Sequence, residues 1–80
     1  MSTAQKVIDV LARVTGEPSV RAQQNLALFD HHVLDSLRTI QLLAALSDEC
    51  GVEIALTEVD RDAWATPGRI VKFMEDRVGA

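Results

Sequence analysis

The 80-residue chain carries eight Lys+Arg against twelve Asp+Glu, a formal net charge of −4, with 48% hydrophobic and 25% charged residues. A chain this short buries only about 60% of the surface its unfolded form exposes, so it holds one small core and no deep, enclosed catalytic cleft. The composition is too apolar for a disordered segment, and the acidic balance repels nucleic acid phosphates and anionic lipid surfaces at long range.

The longest apolar clusters are broken by charges well short of the roughly 20 residues that span a bilayer, which argues against direct membrane insertion. A lone cysteine, Cys50, cannot form an internal disulfide, and nothing near the N-terminus combines basic residues with an apolar signal core. The expectation is one cytoplasmic domain over residues 1–80.

Taken in chain order, residues 3–15 place Ala4, Val7, Ile8, Leu11 and Val14 on one face of a helix, with Gln5, Lys6, Asp9 and Arg13 opposite. Ser2 or Thr3 caps its start, and Gly16 supplies the left-handed residue that ends it. Residues 17–34 lose the periodicity at Pro18 and Ser19 and form a long loop, pinned to the core by Leu26, Leu28 and Phe29, with scope for a helical turn near Val20.

Residues 36–50 form the second helix. Its apolar positions cover far more than the roughly 100° stripe of a simple surface helix, leaving Arg38, Gln41, Asp48 and Glu49 as the polar strip. Such a helix is central to the bundle, presents apolar surface to a partner, or does both. Gly51 ends it, and residues 56–62 form a brief helix capped by Thr57. Trp64 follows as a core plug, and Thr66-Pro67 opens the last helix with a cap and a proline at the first helical position. Ile70, Val71, Phe73, Met74 and Val78 form that helix's apolar face. The fold class is all-α: three main helices plus one short helix, with a long loop after helix 1.

Chemistry is concentrated where the loop meets the second helix. Asp35 and Ser36 are both favoured as helix caps, and a helix start also offers unpaired N–H groups and partial positive charge to an anion. A serine nucleophile would need an oriented base and a sharp strand-to-helix turn. His31 and His32 are near, but the elbow is absent, so no catalytic residue is assigned. Adjacent histidines do not converge on one ion, so no metal site is assigned. Cys50 packs as a small hydrophobe.

The run Leu28-Phe29-Asp30, Leu34-Asp35-Ser36-Leu37 and Thr39-Ile40-Gln41-Leu42-Leu43 resembles the modification region of acyl carrier proteins. Gly51-Val52-Glu53 with Asp60-Arg61-Asp62-Ala63-Trp64-Ala65-Thr66-Pro67 is similar to the D-alanyl carrier proteins in particular. Those carriers commonly have glycine where this chain has His32 and methionine where it has Leu37. Histidine tolerates a positive φ better than most non-glycine residues, so the loop is expected to keep its path. Between Ser36 and Cys50 only Arg38, Asp48 and Glu49 are charged, a near-neutral helix that fits the D-alanyl group better than the acidic fatty-acid carriers.

The resemblance implies an acyl-carrier-protein-like bundle in which 4′-phosphopantetheine is attached covalently at Ser36. It implies a phosphopantetheinyl transferase, a D-alanine-activating adenylate-forming ligase and a membrane-bound acyltransferase as partners. The cargo would be D-alanine for a cell-envelope polymer such as teichoic acid, and the protein would be a carrier rather than an enzyme. Partner recognition is expected at Val33, Asp35, Leu37, Arg38, Gln41 and Ala44. A carrier of other acyl or aminoacyl groups, for fatty-acid, polyketide or nonribosomal peptide synthesis, shares every argument drawn from Ser36.

Overall fold

Helix α1 (Thr3–Thr15) begins where the Ser2 hydroxyl accepts the Gln5 amide at 3.1 Å and ends at Gly16, whose φ of 69° no β-carbon opposes. The computed structural model describes residues 2–79. Helix α2 (Ser36–Cys50) runs from an Asp35 cap to Gly51 at φ 66°, and α3 (Pro67–Gly79) starts on the hydroxyl of Thr66, which accepts the Arg69 amide at 3.2 Å. Short 3-10 segments cover Pro18–Arg21 and Leu56–Glu58, and no strand occurs among the described residues. The fold is all-α, as expected.

α1 is the element that packs against both α2 and α3. Val7, Val10 and Leu11 are fully buried beside Leu42 and Leu46 of α2 and Ile70 and Met74 of α3. The buried stripe is therefore centred on Val10, whereas Ala4 and Ile8 lie at its margin. α2 is not the central helix. It buries Thr39, Leu42 and Leu46 and leaves Leu37 and Ile40 65% and 49% exposed, so its excess apolar surface faces outward.

The long loop after α1 is tied down by Leu28, whose complete burial stabilises by about 1.5–3 kcal/mol, with Leu26 and Phe29 half-buried beside the core. Trp64 is fully buried and stands edge-on to Phe73, ring centroids 5.8 Å apart at 77°. It is the core plug the sequence indicates.

The helix expected over residues 56–62 is only a 3-10 turn, because two carboxylates divide the segment. Glu58 turns back to accept the Ala55 amide at 2.9 Å, and Asp60 accepts the Ala63 amide at 2.7 Å and starts a separate turn. Such local side-chain bonds compete with a continuing helix. Thr57 is exposed inside the turn and is not its cap.

Candidate functional site

Asp35 has an extended backbone and holds the start of α2 through three bonds. Its Oδ1 accepts the Arg38 amide at 2.8 Å, and its carbonyl accepts the Thr39 amide at 2.8 Å and the Thr39 hydroxyl at 2.7 Å. Asp35 is thus the cap, and Ser36 is the first helical residue. The Ser36 side chain is exposed and makes no hydrogen bond with any described residue. Its hydroxyl has no structural duty and stands in the positive field of a helix start.

The approach to this point is set by the turn at residues 28–33. The Val33 amide donates to the Leu28 carbonyl at 2.8 Å and the His32 amide to the Phe29 carbonyl at 3.2 Å, with His32 at φ 58°. This is the bonding of a Schellman motif, with histidine at the left-handed position that glycine usually fills. His32 thus adopts the positive φ expected of it. The same motif packs the residue after the left-handed one against the turn's start, which accounts for Val33.

Val33 is 8% exposed and belongs to the core. Its assignment to a partner surface is corrected: Val33 staples the loop, and its carbonyl lies 3.5 Å from the Arg38 guanidinium. Leu37, Arg38, Gln41 and Ala44 are exposed, as is Asp35 with its carboxylate engaged in capping. The Arg38 guanidinium also reaches the Thr15 carbonyl at 3.5 Å, turning part of its charge toward the C-terminal end of α1.

A groove of about 540 Å³ opens beside Ser36. Leu34, Thr39 and Ile40 line it together with Phe29, Leu56, Val59 and Arg61, and His32, Asp35 and Asp60 add polar groups to the lining. Leu56 is 55% exposed. Sequence reasoning did not single out Leu56 or Val59, and it quoted Arg61 only within the segment before α3 and assigned it no site role, because the residues that share this groove are far apart in the chain. The one local signal was a leucine standing between Ala55 and the polar pair Thr57 and Glu58.

His32 and Ser36 share the groove without a hydrogen bond, and His31 lies instead against the Ala22–Ala27 loop. With the Asp35 carboxylate committed to the helix cap, no Ser-His-Asp relay is assembled. No group of three or more potential metal ligands converges among the described residues. Burial pushes the Cys50 thiol up from its ordinary value, with Lys6 opposing that shift, so this cysteine is not activated. An exposed hydroxyl, free of partners and opening onto a groove of mixed polarity, suits attachment of a long, partly polar, phosphate-linked chain.

Residues 5–74 match the family model described as a phosphopantetheine attachment site. Among curated proteins, the chain is 41% identical over 76 residues to the D-alanyl carrier protein of Bacillus velezensis, covering 95% of this chain and 97% of the relative. It is 42% identical over 69 residues to that of Lacticaseibacillus casei, covering 86% and 85%. It is 33% identical over 75 residues to that of Enterococcus faecalis, covering 94% and 96%. Among the described residues no helix is long and apolar enough to cross a membrane.

Proposed function

The chain belongs to the phosphopantetheine-attachment family and, within it, to the D-alanyl carrier proteins, and from that premise we propose that Ser36 is the residue that bears the prosthetic group. The observation that carries this assignment is the division of labour at the start of α2. Asp35 does the capping, while the adjoining hydroxyl of Ser36 is exposed and uncommitted.

The protein is a carrier and not a catalyst. When attached, the prosthetic group supplies a thiol at the end of a flexible arm on which an aminoacyl unit is held as a thioester. The chain's own residues provide the anchor and the address. Asp35 fixes the first turn, Leu34 at 2% exposure roots it in the core, and Leu37, Arg38, Gln41 and Ala44 form the surface that partner enzymes read. Val33 supports that surface from beneath.

Those partners are a phosphopantetheinyl transferase, which modifies Ser36, and an adenylate-forming ligase, which loads D-alanine. A membrane-bound acyltransferase then takes the cargo for a cell-envelope polymer such as teichoic acid. Loading by adenylation consumes ATP, which supports a cytoplasmic carrier, and the single core shared by the three helices supports its acting as one domain. The relatives' shared name and the near-neutral face of α2 support D-alanine over the fatty-acyl alternative.

Intact-mass measurement after incubation with a phosphopantetheinyl transferase and coenzyme A tests the anchor. A gain of one phosphopantetheine on the native chain and none on Ser36→Ala is expected. The same gain on Ser36→Ala would defeat the assignment. The variant removes no hydrogen bond within the protein, so its stability should stay within about 0.5 kcal/mol of the native chain. Asp35→Ala, by contrast, should cost about 1 kcal/mol through loss of the cap. Loading by the ligase in the presence of competing amino acids tests the cargo, and preference for anything but D-alanine would overturn it.

A further inference from the structure

Arg61 is the arginine without an acceptor. Arg13, Arg21, Arg38, Arg69 and Arg77 each reach a carboxylate or carbonyl oxygen, whereas Arg61 has no hydrogen-bond acceptor or carboxylate partner among the described residues. Its guanidinium is nevertheless held in place, 4.9 Å from the centroid of the Phe29 ring. Stacking on an aromatic face orients the planar group and leaves its N–H donors unspent. Phe29 is itself half-buried against the core, so the platform is fixed.

This cation lines the same groove as Ser36, as do the apolar side chains of Ile40, Leu56 and Val59. None of the carboxylates near it pairs with it directly: Asp35 accepts the Arg38 amide, Asp60 accepts the Ala63 amide, and Asp30 and Asp62, which line an adjoining hollow with Arg61, form no ion pair with it among the described residues. We propose that Arg61, stacked on Phe29, is a positioning residue that pairs with the phosphodiester at Ser36 and lays the apolar part of the arm against Ile40, Leu56 and Val59. The inference rests on Ser36 being the attachment residue.

The match is one of charge and polarity together. A phosphodiester monoanion begins the arm and a dimethyl-substituted carbon follows it, while the groove that holds Ser36 offers both a cation without an acceptor and apolar side chains. Because the arm is tethered inside the groove's own lining, its effective concentration is on the order of mM, so weak contacts suffice to order it while leaving it free to depart to a partner enzyme.

The test uses the full chain modified with coenzyme A and a phosphopantetheinyl transferase, first checked by intact mass. Nuclear Overhauser contacts are expected between the dimethyl protons of the arm and side-chain protons of Ile40, Leu56 and Val59. The Arg61 side-chain N–H resonance should shift on modification. Arg61→Gln should weaken those contacts and move the phosphorus-31 resonance, while Lys72→Gln, on the outer face of α3, should change neither. Correct mass with shifts confined to residues 35–38, or an Arg61→Gln spectrum identical to the native one, overturns the inference and leaves the attachment residue standing. Absence of the mass gain removes the attachment residue and this inference with it.

Discussion

The amide of Leu28 donates to the carbonyl of Ala65 at 2.9 Å, joining the loop before α2 to the segment before α3. A second tie lies beside it, from the Gly68 amide to the Gln24 carbonyl at 3.0 Å. A β-carbon at position 68 would stand 3.2 Å from that same carbonyl oxygen, with the Gln24 side chain behind it. Alanine would gain helix propensity of up to about 1 kcal/mol, yet it must push apart a bonded backbone pair, which typically costs 1–3 kcal/mol. We expect Gly68→Ala to be destabilising by about 1 kcal/mol, lowering the melting temperature by roughly 4–8 °C. An unchanged or higher midpoint in thermal unfolding would show that the loop yields freely.

His32 occupies the left-handed position of the turn at φ 58°, where an L-residue is disfavoured by roughly 1–2 kcal/mol. Glycine removes that cost but carries more freedom into the unfolded chain, which returns about 0.5–1 kcal/mol. His32→Gly should therefore stabilise the protein by about 0.5–1 kcal/mol, seen as a higher urea midpoint at constant slope. A lower midpoint would mean that the imidazole makes a contribution in the groove that outweighs the backbone.

Much of this architecture is legible in the sequence because its helices are punctuated by side chains acting on neighbours. Ser2, Gly16, Asp35, Gly51 and Thr66 mark the helix ends through bonds or dihedral preferences that span only a few residues. Properties fixed by long-range packing are not legible in that way. The apolar surplus of α2 marked it as special without revealing that α1 lies at the centre and α2 faces out. Val33 looked like surface because it adjoins Ser36, and only the bond from its amide to Leu28 shows why it turns inward. The groove brings Phe29 and Arg61 to Ser36 across segments with no common periodicity, so no local pattern marks it.

The ion pair of Glu58 with Arg77 fastens the turn that carries Leu56 to α3. The Arg77 guanidinium, and next the Ala55 amide, hold the Glu58 carboxyl below its ordinary value of 4.5. With its folded-state pKa depressed, Glu58 binds fewer protons in the native than in the unfolded protein across that window. Its contribution is complete above the ordinary carboxylate value and is lost as pH falls through the folded one. Both partners are at the surface, so the effect is modest and weakens with salt. Melting temperatures followed from neutral pH down through the carboxylate range should show a shallower acid decline in Glu58→Gln than in the native chain. Parallel curves would mean that the pair is not held in solution.

Leu37 is 65% exposed one residue after the proposed anchor, and the charged residues of α2 are too few to steer a partner strongly from a distance. The neighbouring Arg38 spends part of its reach on the carbonyls of Thr15 and Val33, which leaves Leu37 as the more available contact. An apolar side chain desolvated at the centre of an interface is commonly worth 1–2 kcal/mol, a factor of roughly 5–30 in association. Leu37→Ala should lower kcat/KM for ligase loading within that range, with Arg38→Gln having the smaller effect. Rates for the native carrier should change little with ionic strength. Loading that is insensitive to Leu37 but falls steeply with added salt would shift the address from this apolar face to charged residues elsewhere on the surface.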